Sequence, residues 1–136
     1  MTVGYVNGTF DMFHVGHLRL IQRAREMCDK LIIGVNRDED IIINKGRPAV
    51  ISETSRLEII RALKACDEAF LAPTYYLTVE QMIKMGADVN FMGSDYADHP
   101  VINQLNKDLE PHGKRVIILS RTDGISTSII REILNG

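Results

Sequence analysis

Five short apolar runs, each of the length of a β-strand, alternate along this chain with segments that have helical periodicity. The runs cover residues 3–6, 31–35, 69–71, 89–92 and 116–119. Runs rich in Ile and Val that are separated by helices are typical of a parallel sheet buried on both faces. Right-handed crossovers then make the fold a doubly wound one. We therefore predict an α/β fold, with one Rossmann-like domain over residues 1–136 and a five-stranded parallel sheet.

The segments between the runs predict helices by the spacing of their apolar residues. Such residues recur at helical spacing within residues 20–28, 57–63, 79–83, 101–109 and 126–133. Two of these helices also carry boundary signals. Thr78 and Gln81 form a capping box before the third helix, and Gly86 is a suitable stop after it. Ser126 is a suitable N-cap for the last helix.

Composition narrows the classes of function. The net charge of −2 gives no global basic field, so no nucleic-acid partner is expected. Cys28 and Cys66 lie outside any CxxC pattern, which favours small buried residues over a disulfide or a metal site. No run approaches the roughly 20 apolar residues that a membrane span needs, and the N-terminus lacks the features of a signal peptide. We therefore expect a cytoplasmic enzyme or binding protein with no membrane partner.

Two histidines mark the first connection from strand to helix. His14 and His17 follow the sequence Gly-Thr-Phe-Asp at residues 8–11, and the helix is predicted to begin near His17. A helix N-terminus has unpaired N–H groups and the positive end of the helix dipole, which together attract phosphate. Imidazole rings add further donors. Polar segments with glycine at residues 93–95 and 121–124 follow two other strands. The sequence therefore predicts a phosphate site at the carboxyl edge of the sheet, where such folds bind ligands.

The same two histidines allow other interpretations. HxxH is a common spacing of zinc ligands, but matching Cys or acidic partners at ligand spacing are missing, and His99 and His112 lie in segments without a ligand pattern. A purely structural pair is a second alternative. Gly16, between the two histidines, favours instead a close approach of the backbone to a ligand. The residues of this turn alone leave the choice open.

Two longer motifs at opposite ends of the chain connect it with a known family. Residues 8–17 match the pattern G-x-F-D-x-x-H-x-G-H at every fixed position, and residues 121–128 read R-T-D-G-I-S-T-S, close to R-T-E-G-I-S-T. The segments around Lys45, around Arg56 and at residues 92–95 agree with the same family. On these residues the chain resembles the small cytidylyltransferases. It is most similar to those that act on glycerol 3-phosphate, with the choline- and ethanolamine-phosphate enzymes close behind.

The resemblance implies a reaction. A phosphate oxygen of a small phosphorylated alcohol would attack the α-phosphate of CTP and expel pyrophosphate, with glycerol 3-phosphate as the expected acceptor and CDP-glycerol as the product. Catalysis of this kind depends on positioning and on stabilisation of the charge that develops on the phosphates. Mg²⁺ would be bound with CTP rather than by protein side chains. The resemblance also implies a homodimer.

The resemblance assigns roles to individual residues. His14, His17, Lys45 and Arg121 would be catalytic, with Lys45 on a loop that reaches the α-phosphate and the acceptor phosphate. Lys45, Arg47 and Arg56 would bind the acceptor. The larger set that would bind the nucleotide is Gly8, Thr9, Phe10, Asp11, Gly16, Gly93, Asp95, Thr122, Ile125, Ser126 and Thr127. The role of Asp11 is left open between an orienting group, a contact to the ligand and a buried cap.

Other features leave the acceptor and the nucleotide open. Residues 48–55 are closer in character to the choline and ethanolamine type, whereas residues 92–95 favour the glycerol-phosphate type. Tyr75, Tyr76 and Tyr96 lie in or near the candidate loops, either as an aromatic cage for a cationic headgroup or as packing or dimer-interface residues. An ATP-dependent adenylyltransferase of the same superfamily is an alternative enzyme. A nucleotide-binding module without catalysis is an alternative of another class.

Overall fold

A computed structural model describes residues 1–120 of the chain, and they form a parallel sheet with helices on both faces. The strands are β1 (Val3–Gly8), β2 (Lys30–Val35), β3 (Glu68–Leu71), β4 (Val89–Gly93) and β5 (Arg115–Leu119). They pair in the order β3-β2-β1-β4-β5, and every pair is parallel. The direction of winding reverses between β1 and β4, which defines a doubly wound sheet. The predicted fold class and its five strands are confirmed.

Five α-helices connect the strands within the described residues. They are α1 (Val15–Glu26), α2 (Asp38–Lys45), α3 (Glu53–Arg61), α4 (Val79–Met85) and α5 (Pro100–Leu109), with 3₁₀ turns at Ser94–Tyr96 and Glu110–His112. The capping box of Thr78 and Gln81 is present, and Gly86 ends α4 in the left-handed conformation at φ 68°. The helix predicted over residues 126–133 lies outside the described residues.

Helix α2 is absent from the sequence prediction, which placed Lys45 in a loop. That expectation was wrong, because Lys45 is the last residue of α2. Only Ile41 of its eight residues is buried, so the helix has no apolar stripe that could indicate it. Two weaker signals were available. Three acidic residues fill the first turn, and Gly46 follows in the left-handed conformation.

The sheet is buried on both faces, as the continuous apolar strands predict. Neighbouring residues of β2 illustrate this, since Leu31 packs in the cluster with α1 and α3, whereas Ile32 packs in the cluster with α4 and α5. The apolar core therefore occupies the middle of the sheet, and the buried polar residues Asp11 and Asn36 follow the carboxyl ends of β1 and β2. No helix within residues 1–120 is long and apolar enough to cross a membrane.

Candidate active site

The two histidines form the cap of helix α1. His14 is the N-cap residue, and its Nδ1 accepts a hydrogen bond from the Gly16 N–H at 3.0 Å. The Nδ1 atom of His17 accepts one from the His14 N–H at 3.2 Å, which completes a reciprocal capping box. An Nδ1 that accepts a hydrogen bond carries no proton, so the proton of each neutral ring lies on Nε2. The cap thereby sets the tautomer of both rings, and each has its N–H donor at Nε2.

The ring of His17 is packed among other rings. It stacks on His14 with centroids 3.9 Å apart, and it contacts Phe13 and Phe10 at centroid distances of 5.4 and 5.8 Å. Burial is the main cause that lowers the pKa of His17 to about 4. The electrostatic effects of His14 and Lys45 lower it further, and that of Asp11 opposes them. His17 is therefore a neutral donor at pH 7. The same interaction shows that the Lys45 charge is within electrostatic reach of His17.

The lowered pKa of His17 makes the stability of the fold depend on pH. The unfolded chain takes up this proton near pH 6.5, whereas the folded protein takes it up only near pH 4. We therefore expect the free energy of unfolding to fall as the pH is lowered from about 6.5 to 4, by about 3 kcal/mol at most from this group. The measurement is urea unfolding at a series of pH values. In the variant His17→Gln this part of the pH dependence is lost, and identical slopes in the two proteins would contradict the lowered pKa.

The turn before the histidines has an unusual backbone. Phe10 and Met12 have positive φ angles of 54° and 49°, which cost side-chain-bearing residues about 1–3 kcal/mol each. A Cβ atom on Gly8 would lie 3.0 Å from the Phe10 ring, so a glycine is needed for that ring to pack where it does. The role predicted for Gly8, room for a phosphate, stays a prediction. Contacts from Asp11, between the two strained residues, hold this turn.

Asp11 binds the segment that precedes helix α3. Its side chain is 2% exposed, and its two carboxylate oxygens accept hydrogen bonds from the N–H groups of Val50 and Ile51, both at 2.8 Å. Asp11 was left open between an orienting group, a contact to the ligand and a buried cap. The structure shows it as a buried residue that caps backbone N–H groups. This contact joins the histidine turn to the chain just beyond Lys45 and Arg47, which are both exposed.

Arg56 is placed differently from its prediction as an acceptor ligand. The residue is 1% exposed. Its guanidinium donates to the carbonyl oxygens of Thr9, Asn36 and Ile51 at 2.7, 2.8 and 2.9 Å, and to the carboxylate of Asp38 at 2.6 Å. Four of the five N–H groups of the guanidinium are therefore used within the protein. In this structure Arg56 connects the turn at Thr9, the segment from Asn36 to Asp38 and the start of its own helix.

A second cluster lies at the ends of β1, β2 and β4. Asn36 donates to the Thr9 hydroxyl at 3.2 Å, and the Tyr75 hydroxyl interacts with Thr9 and Tyr96. Burial raises the pKa of Tyr75 and of Tyr96 above the usual range of tyrosine, so both are neutral donors. Asn36 was missed by the sequence analysis. Its only signal was its position directly after a buried strand.

The tyrosines of this cluster pack against one another and against His99. Tyr75 and Tyr76 meet edge to face at 5.0 Å, and His99 lies 5.5 Å from both Tyr76 and Tyr96. A cage for a cation needs rings on different sides of the ion, each within about 6 Å of it. The packing interpretation of these tyrosines agrees with the structure, and His99, which showed no pattern in the sequence, belongs to the cluster.

The remaining predicted residues fall into two groups. Gly93 ends β4, two residues before the exposed Asp95, and a Cβ on Gly93 would make an ordinary van der Waals contact with Leu20 at 4.0 Å. The others lie outside the described residues: Arg121, Thr122, Ile125, Ser126 and Thr127. Within residues 1–120 no group of three or more His, Cys, Asp or Glu side chains could hold a metal ion.

The described residues define an α/β domain with a histidine-capped helix N-terminus, a lysine and neutral hydroxyl groups at the carboxyl edge of its sheet. Comparison with known proteins agrees with that class. The family model described as cytidylyltransferase-like matches residues 5–133, and the chain belongs to this family. The resemblance found in the sequence motifs is therefore confirmed at the level of the family.

Three proteins that are similar to this chain have different names. An ethanolamine-phosphate cytidylyltransferase of Dictyostelium discoideum is 36% identical over 91% of this chain, which spans about a third (34%) of that protein. An FAD synthase of Thermococcus kodakarensis is 30% identical over 95% of this chain and 89% of its own length. A crystal structure of a lipopolysaccharide core biosynthesis protein of Thermoplasma volcanium superposes with a TM-score of 0.72 at 26% identity, covering 92% of this chain and 99% of that one.

Proposed function

We propose that this chain transfers CMP from CTP to a small phosphorylated alcohol, with glycerol 3-phosphate as the acceptor, and releases pyrophosphate. The observation that carries the proposal is the capping box of His14 and His17. It places two imidazole N–H donors of fixed tautomer at the N-terminus of α1, where backbone N–H groups and the helix dipole also favour an anion. The family to which the chain belongs supports the choice of a nucleoside triphosphate as that anion.

In the proposed reaction, an oxygen of the acceptor phosphate forms a bond to the α-phosphorus of CTP. The bond from that phosphorus to the bridging oxygen breaks, and the pyrophosphate leaves with the electron pair. His14 and His17 donate from Nε2 to phosphate oxygens, and the Lys45 ammonium, within electrostatic reach of His17, balances the added negative charge. No proton needs to leave His17 for this role, which agrees with its neutral form at pH 7.

Mg²⁺ is proposed to arrive with CTP. The described residues contain no cluster of protein ligands for it, so it would be bound by phosphate oxygens and water. When bound, it neutralises part of the triphosphate charge. The last part of the chain is proposed to bind the nucleotide through Arg121, Thr122, Ser126 and Thr127.

The choice of a polyol phosphate as the acceptor rests on the hydroxyl groups near the ends of the strands. Thr9, Tyr75 and Tyr96 offer neutral hydroxyl groups at the carboxyl edge of the sheet, and such groups suit a polyol. Phosphoethanolamine is a second candidate, because the exposed Asp95 carboxylate next to Tyr96 suits a primary ammonium and the Dictyostelium relative is named for that substrate.

A screen of pyrophosphate release tests the proposal. CTP and ATP are each combined with glycerol 3-phosphate, phosphoethanolamine, phosphocholine, pentose phosphates and FMN. We expect the highest kcat/KM for CTP with glycerol 3-phosphate. If CTP reacted only with phosphoethanolamine, the proposed acceptor would be wrong. If only ATP with FMN reacted, the proposed reaction would be wrong, and the chain would resemble the Thermococcus FAD synthase in activity. No pyrophosphate from any combination would refute catalysis.

A further inference from the structure

Helix α2 has little apolar contact to hold it in place. Of its residues, only Ile41 is buried, whereas the next two, Ile42 and Ile43, are 50% and 77% exposed. Most helices of a domain this size are held by an apolar stripe. The position of α2 must therefore depend on polar contacts, and these lie at its first residue.

The N-termini of α2 and α3 cap each other. The N–H of Asp38 donates to Glu53 Oε1 at 2.9 Å, and the N–H of Glu53 donates to Asp38 Oδ2 at 3.2 Å. The second carboxylate oxygen of Asp38 accepts the 2.6 Å bond from Arg56 Nη2. We call Asp38, Glu53 and Arg56 the α2 clamp. Through it the start of α2 is fixed to α3.

Arg56 extends the clamp to the histidine turn. Its other N–H groups bind the carbonyl oxygens of Thr9, Asn36 and Ile51, and the side chain is fully buried. A buried guanidinium with these partners has little freedom to move without losing bonds that water cannot replace. The same group thus holds the base of the histidine turn and the start of α2 in one arrangement.

We propose that Arg56 and Asp38 are positioning residues, which set the place of Lys45 relative to His14 and His17. Lys45 is seven residues beyond Asp38 on the same short helix, about 10 Å along its axis. A small change of angle at the clamp therefore displaces the lysine. This inference rests on the proposed phosphate contact of Lys45, and it replaces the acceptor contact predicted for Arg56.

The test compares two variants, each of which removes one negative charge from the α2 clamp. Asp38→Asn weakens the bond to Arg56, whereas Glu53→Gln keeps an oxygen for the Asp38 N–H and leaves Arg56 untouched. Both leave the three carbonyl bonds of Arg56 in place, so both are expected to fold. We expect kcat to fall about tenfold in Asp38→Asn, since misplacement of a reacting group by about 1 Å can cost about 100-fold, and to change less than about twofold in Glu53→Gln.

A double-mutant comparison separates positioning from general structure. In the background of Lys45→Ala, the Asp38→Asn change is expected to lower kcat by less than about twofold, because there is no lysine left to misplace. An equal loss of activity in both backgrounds would overturn the proposal.

Hydrogen exchange gives a readout that does not need turnover. The amides of α2 should exchange about tenfold faster in Asp38→Asn than in Glu53→Gln, since local opening follows the loss of the contacts that hold an element. Equal exchange rates in the two variants would refute the clamp. If the protein releases no pyrophosphate from any substrate pair, the proposed function fails while the exchange rates still decide whether the clamp holds α2.

Discussion

Replacement of His17 by glutamine is expected to lower pyrophosphate release by about 100- to 1000-fold while the fold is kept, the size found when one oriented donor to a developing charge is removed. Glutamine is a common residue at the third position of a capping box, where its oxygen accepts the N–H of the N-cap residue as His17 Nδ1 does here. The variant therefore keeps the cap and loses the imidazole N–H. The measurement is kcat for CTP with glycerol 3-phosphate.

The alanine variant is the matched control for this experiment. His17→Ala loses both the donor and the cap, together with the contacts to Phe10 and Phe13. We expect the same loss of turnover as in His17→Gln, with an additional loss of about 1–2 kcal/mol in the free energy of unfolding. If His17→Gln turned over at nearly the rate of the unchanged protein, His17 would be a structural cap only.

Replacement of Asp11 by alanine is expected to lower the free energy of unfolding by about 2–5 kcal/mol. The N–H groups of Val50 and Ile51 lose the buried carboxylate that accepts both of them, and these part-buried groups cost up to about 1–3 kcal/mol each where water does not reach them. The strained residues on either side lose their tether as well. Urea unfolding measures the change, and the slope of the transition shows whether unfolding remains cooperative.

Asp29 provides a control for this loss. Its carboxylate also accepts a backbone N–H, from Thr2 at 2.6 Å, but at an exposed site near the N-terminus. Water replaces the lost partner there, so Asp29→Ala should cost less than about 1 kcal/mol. A similar small loss in both variants would show that Asp11 is not the tether of residues 50 and 51.

The strands were predictable because burial on both faces leaves a plain signal in the sequence. Leu31 to Val35 are all buried, and such a segment has few alternatives to an internal strand. The start of α1 was predicted from glycine and histidine around the turn. Helix α2 gave no such signal, because its position depends on Asp38, Glu53 and Arg56 rather than on an apolar stripe.

The sequence motifs could suggest residues for the candidate site but not the contacts between them. The motifs placed His14, His17 and Lys45 together, and the described structure brings their charges within reach of one another. The partners of Asp11 and Arg56 were not predictable, since Val50 is 39 residues from Asp11 and Thr9 is 47 residues from Arg56. An arginine is also exposed in most proteins, so its sequence position alone argues for the surface.

Because the histidines form the cap of α1, the folding of the first helical turn and the ordering of the imidazole donors are one equilibrium. When residues 14–17 are helical, each Nδ1 is occupied by a backbone N–H, and each proton is held at Nε2. A ligand that requires both protons at Nε2 therefore selects the helical form of these residues, and by linkage it stabilises that form in return. Because Ile21 and Ala24 fix the same helix in the core, the donors are ordered before the ligand arrives, and binding does not have to order them.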